Sequence, residues 1–178
     1  MTPTSPEEKP PFSSATPIIA ATSSLTKRDQ ECSNAPGTKA GTHLNARTLL
    51  PSLLRRRSSS STIWCTPGTS TYISITASKR PLPLAAVLTT FSAAKTWTSR
   101  HIEEAGDGPL QDGLFNFLGV GGIHLTVWDA NNHQVTYGVM GGVVLALEGV
   151  MARDGYGETN FRVYDGKNWV GQGMVAVS

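Results

Sequence analysis

Apolar side chains return every three or four positions at Leu84, Val87, Leu88, Phe91, Ala94, Thr98 and Ile102, a period that predicts an amphipathic helix. Pro81 and Pro83 suit its entrance, and Ala105-Gly106-Asp107-Gly108-Pro109 stops it. A second helical stripe follows at Met140, Val143, Val144, Leu147 and Met151. Thr136 is placed to cap its start, Arg153 suits the negative C-terminal end, and Asp154-Gly155-Tyr156-Gly157 ends it. Another face of this helix carries Gly138, Gly142, Ala146 and Gly149. Glycine inside an exposed helix costs about 1 kcal/mol relative to alanine. The repeated expense predicts that the backbone of this helix approaches a neighbouring element closely.

Elsewhere the period is two. Thr71–Ala77 alternates, with Ile73 and Ile75 on one face and Tyr72, Ser74 and Thr76 on the other, which predicts a half-buried strand. Leu114–Leu118, a glycine-rich connection, and Ile123–Trp128 predict a hairpin. Asp129-Ala130-Asn131-Asn132-His133 is a turn into the second helix. Phe161–Tyr164, the turn Asp165-Gly166-Lys167-Asn168, and Trp169–Val177 predict a second hairpin. The order strand, helix, hairpin, helix, hairpin fits an α+β fold. In it, a largely antiparallel sheet of about five strands carries two helices on one face.

Composition divides the chain. Residues 1–61 are rich in Ser, Thr, Pro and Ala, which predicts a low-complexity, disordered segment; residues 62–178 carry the periodic elements and form a single domain. The first part holds eight Lys/Arg against four Asp/Glu, and the second seven against nine. A mildly acidic folded part argues against nucleic acid as partner. No apolar run is long enough to span a bilayer. Basic residues concentrate at Arg55-Arg56-Arg57, read as a solvated linker, and at Lys27-Arg28, a dibasic pair of the kind that secretory processing proteases cut. Glu7 and Glu8 stand where a secretory leader needs positive charge, so no standard signal peptide is read. Cys32 and Cys65 are compatible with one disulfide or with two free thiols.

The residues Thr136-Tyr137-Gly138-Val139-Met140-Gly141-Gly142, then Phe161-Arg162-Val163-Tyr164-Asp165-Gly166 and Val170-Gly171-Gln172-Gly173, resemble a group of small uncharacterised fungal proteins. Many of these carry a secretion signal. The resemblance spans roughly the last 110 residues. It implies secretion, against a cytoplasmic alternative, and it implies no activity, substrate or cofactor.

Catalytic and metal signatures are weak. His101, Glu103, Glu104 and Asp107 offer metal-ligand side chains near a helix end, without the spacing of a known metal motif. There is no nucleophile elbow, and the glycines of Gly119-Val120-Gly121-Gly122 and Gly171-Gln172-Gly173 do not open a helix as a phosphate cradle requires. No catalytic residue and no cofactor is assigned. Surface recognition is the leading expectation. With Ile123, Leu125 and Val127 turned to the helices, His124 and Trp128 face outward, as do Arg162, Tyr164 and Trp169. These five form a candidate binding platform for a protein or carbohydrate partner. Burial of the rings under the N-terminal segment or a second copy in a homo-oligomer is the competing expectation. A small hydrolase whose polar residues meet only in three dimensions is the alternative function.

Overall fold

The computed structural model describes residues 30–45 and 62–178. Six strands and two helices follow one another: β1 Thr62–Cys65, β2 Thr71–Pro81, α1 Leu84–Ala105, β3 Leu114–Leu118, β4 Ile123–Asp129, α2 Tyr137–Asp154, β5 Gly157–Asp165 and β6 Asn168–Val177. The strands form one open sheet in the order β1-β2-β5-β6-β4-β3, and every neighbouring pair is antiparallel. Both helices lie on one face. The α+β class and the antiparallel sheet agree with the sequence reading; β1 is the strand that the periodicity does not show, because four residues are too few for alternation to register.

The core lies between the helices and the sheet. Ile73, Phe115, Ile123, Leu125, Val127, Phe161, Val163 and Val175 from the strands meet Val87, Phe91, Ala94, Met140, Val143, Val144, Leu147 and Met151 from the helices. The expected stripe of α2 is fully inside. That of α1 is only partly so: Leu84 and Leu88 are exposed, while Thr90 and Thr98 are buried. Each threonine hydroxyl donates to the carbonyl four residues back, at Ala86 and Ala94, which satisfies it and lets it sit against the core.

Close approach accounts for the glycines of α2. A Cβ at Gly149 would stand 2.6 Å from Trp64 Nε1, and one at Gly142 would stand 3.3 Å from Thr71. The buried Thr66 hydroxyl donates to the Gly142 carbonyl at 2.8 Å, joining helix to sheet where they are nearest. At the helix start the Thr136 Oγ1 accepts from Val139 N–H, as expected, and Asp107 Oδ1 accepts from Gly138 N–H. At its end Arg153 pairs with Asp154 and lays its guanidinium 4.6 Å above the Trp64 ring.

Part of the segment expected to lie outside the fold is packed against it. Residues 30–45 form a looped strap: Ala40 N–H donates to Gln30 O, Cys32 N–H donates to Thr38 O, and Glu31 bridges Lys39. A disulfide joins Cys32 to Cys65, with the Cα atoms 5.5 Å apart, so of the two states left open by the sequence the bonded one is present. Cys32, Ala35 and Leu44 meet Ile63, Cys65 and Tyr72 in a second small core on the outer face of the sheet. β2 is therefore covered on both faces at Tyr72 and Ser74, where alternation had suggested one open face.

Glycine substitutions separate crowded sites from open ones. Gly173→Ala would set a methyl 2.5 Å from the Thr126 carbonyl and 2.7 Å from the Phe161 ring, and should lower stability to chemical denaturation by about 1–3 kcal/mol. Gly141→Ala meets nothing nearer than Thr98 Cγ2 at 4.0 Å, and should raise stability by up to about 1 kcal/mol.

Candidate functional site

The outer face of the sheet reads as a grid set by strand register. Ile63, Ser74, Arg162, Gln172, Trp128 and Leu114 stand in one row across all six strands, and Cys65, Tyr72, Tyr164 and Trp169 stand in the next. The strap packs on Ile63 in the first row and on Cys65, Tyr72 and Tyr164 in the second. Tyr72 is 6% exposed, and its ring stacks on that of Tyr164 at 4.7 Å, nearly parallel. Tyr164 is half-buried against the strap core and so is not free for a partner. At its far end the strap rests on the β5–β6 turn, where Gly41 leaves no room for a Cβ against the Gly166 backbone.

Beyond the strap core lies the strip Trp169, Arg162, Gln172 and Trp128, of which Arg162 is exposed and the other three are half-buried. The Trp169 indole N–H donates to Gly171 O at 2.7 Å, and the Arg162 guanidinium lies 5.0 Å from its ring centre. Both contacts hold the indole against the sheet. Trp128 stands beside Gln172 and is half-buried, with Asp129 next to it accepting from Val135 N–H. His124 shares the outward face but sits four residues along β4, about 13 Å away at strand rise, beside Ala176 and Leu118. The structure thus groups Trp128, Arg162 and Trp169, places Tyr164 under the strap, and leaves His124 apart. Lys27 and Arg28 lie outside the described residues.

A second aromatic group was not anticipated. Trp97 and His101, one turn apart on α1, meet Tyr137 at the start of α2 and Phe115 on β3. The His101 and Tyr137 ring centres are 3.7 Å apart, those of Trp97 and Phe115 5.5 Å, and those of Trp97 and Tyr137 5.7 Å. Beside them opens a cavity of about 250 Å³ lined by Trp97, Gln111, Leu114, Phe115, Asn116, Phe117 and Tyr137. The i, i+4 spacing of Trp97 and His101 was readable, but neither lies on the apolar stripe, and only tertiary packing brings Tyr137 and Phe115 to them. A wider bay at Asp129–Gln134 is the open side of a single turn.

Of the four metal-ligand candidates, His101 is stacked on Trp97 and packs at a tilt on Tyr137, and Asp107 accepts from Thr136 Oγ1–H and Gly138 N–H, while Glu103 and Glu104 are exposed. They do not converge, and among the described residues no three metal-ligating side chains do. No helix of the described residues is long and apolar enough to cross a membrane. No family model, curated protein or solved structure matches the chain.

Burial, and secondarily the nearby Tyr164, push the Tyr72 phenol up to about 12 from its usual value near 10. Folding then favours protonated Tyr72: this contribution is fully present below about pH 10 and is lost as pH rises through about 12. In an alkaline titration followed by phenolate absorbance, Tyr72 should ionise at about pH 12. Tyr72→Phe should remove that step.

Proposed function

We propose that this protein is a non-enzymatic recognition domain of an oxidising, extracytoplasmic compartment, binding a carbohydrate on the open outer face of its sheet. The observation that carries the reading is the strip Trp169, Arg162, Gln172 and Trp128, two indoles separated by planar hydrogen-bonding side chains on a surface that no helix covers. An indole face is electron-rich, so it attracts the polarised C–H face of a sugar ring, while the amide and guanidinium donate to ring hydroxyls. Strand register sets Arg162, Gln172 and Trp128 in one row with Trp169 in the next, a spread of groups that suits a chain of sugars better than a single small molecule. The Cys32–Cys65 disulfide supports the compartment, because such bonds persist where the surroundings are oxidising. The resemblance to a group of often secreted fungal proteins points the same way.

Binding to a panel of immobilised neutral polysaccharides tests the activity. Trp128→Ala should weaken retention about tenfold with an unchanged circular dichroism spectrum; retention unaffected by Trp128→Ala and by Trp169→Ala would sink the reading. The compartment has its own check. Mass spectrometry of the native protein should find, outside cells, a chain beginning at Asp29 with Cys32 and Cys65 bonded. A chain confined to cells and beginning at Met1 would argue for a cytoplasmic role.

A further inference from the structure

The two edges of the sheet are treated differently. At the β1 edge the strap supplies partners: Ser33 N–H donates to Ile63 O at 2.8 Å, the Asn34 amide nitrogen donates to Cys65 O at 2.7 Å, and Cys65 N–H donates to Asn34 Oδ1 at 3.1 Å. Asn34 acts there as a piece of strand, and the edge is closed.

The β3 edge has no such cover among the described residues. Gly119 N–H donates to Ile123 O, and antiparallel alternation then turns the N–H and C=O groups of Phe115 and Phe117 toward β4. Those of Asn116 and Leu118 point away from the sheet, as does the Leu114 carbonyl, while the Leu114 N–H donates to Gln111 O. Leu114 is 48% exposed and Leu118 64%, so the edge is also apolar. A bare, apolar edge is the feature that sheet proteins ordinarily avoid.

The aromatic cavity lies along this same edge, since four consecutive residues of β3, Leu114 to Phe117, line it. Its volume of about 250 Å³ is below the roughly 300–1,000 Å³ of small-molecule sites and suits one large side chain. The stretch 103–112, which reaches the cavity at Gln111, holds Glu103, Glu104, Asp107 and Asp112 and no Lys or Arg.

We propose that β3 is a peptide-binding edge: an extended segment of a partner protein adds as a seventh strand, seats one large apolar side chain among Trp97, Tyr137, Phe115 and Phe117, and places a basic residue toward Asp112. The backbone row supplies affinity, and the cavity and the acidic stretch supply selectivity. A second copy of the chain fits less well. Its own β3 would bring Phe115 and Phe117, which already pack on each other and on Trp97, so the cavity would stay unfilled. This site is separate from the outer-face strip and stands whether or not that strip binds carbohydrate.

The test uses the full chain and a random linear peptide library displayed on phage. Selection should enrich sequences that pair a large apolar residue with a nearby Lys or Arg. In hydrogen exchange, the amides of Asn116 and Leu118 should exchange quickly in the free protein, with Phe115 and Phe117 protected, and should slow on adding an enriched peptide. Asn116→Pro removes one outward donor at a position where an edge strand tolerates proline, and should weaken that peptide about tenfold or more, with the circular dichroism spectrum retained. Trp97→Ala, a change at a side chain 46% exposed, should do the same through the cavity. No enriched peptide, or peptides indifferent to both variants, would overturn the proposal. So would a concentration-dependent dimer abolished by Asn116→Pro, which would assign the edge to a second copy. Protection of these two outward amides in the free monomer would assign it to another segment of this chain, and would overturn the proposal equally.

Discussion

The structure depends on how near α2 can come to β1 and β2. A helix normally stands off a sheet by the depth of its side chains. Here Gly142 and Gly149 remove that depth, so Thr71 and Trp64 rest almost on the helix backbone and Thr66 bonds to a helix carbonyl. The glycines weaken α2 as an isolated helix and strengthen it as a docked one, because close contact recovers dispersion energy along the approach. α2 is then buried on nearly every side, and α1 can lie beside it over the β4 and β3 end of the sheet. The same device recurs on β6, where Gly171 and Gly173 admit Val135 and the Phe161 ring.

One face of the sheet being filled by helices, the other must be managed by something else. The strap does so for the β1 and β2 end, and the disulfide holds it there. A loop of sequence separation 33 that is closed covalently loses much of its freedom in the unfolded chain, which by the chain-entropy account contributes about 3–4 kcal/mol. That is comparable to a large part of a small domain's stability, and it explains how so short an apolar cluster as Cys32, Ala35, Leu44, Ile63, Cys65 and Tyr72 is kept together. Covering this end leaves the strip Trp169, Arg162, Gln172 and Trp128 beyond the strap among the described residues. It also seals one sheet edge, while among the described residues nothing covers the other. Both proposed recognition surfaces lie where the strap does not reach.

Much of this was legible in the chain. Local period decides element type, so α2 with its Thr136 cap, the two hairpins and the class of fold follow from spacing alone. The outward position of Trp128 and Arg162 follows equally from alternation, which needs no knowledge of the neighbour. Where the reading strays, a neighbour is responsible. Leu84 and Leu88 keep helical period yet remain exposed, because the buried face of α1 is centred on Val87, Phe91, Ala94 and Thr98 and they lie at its margin. Tyr72 and Ser74 alternate outward yet are buried, because a segment far away in sequence lies over them.

The sequence by itself determined the helices, the strand faces and the need for a close helix approach, since each is set by residues within a few positions of one another. Tertiary structure alone decided the pairing of Cys32 with Cys65, the insertion of the β5–β6 hairpin between β2 and β4, and the meeting of Trp97, His101, Phe115 and Tyr137. These join positions tens of residues apart. Periodicity carries no information over such distances; they are chosen by which arrangement buries the apolar faces together and leaves fewest backbone groups unpaired.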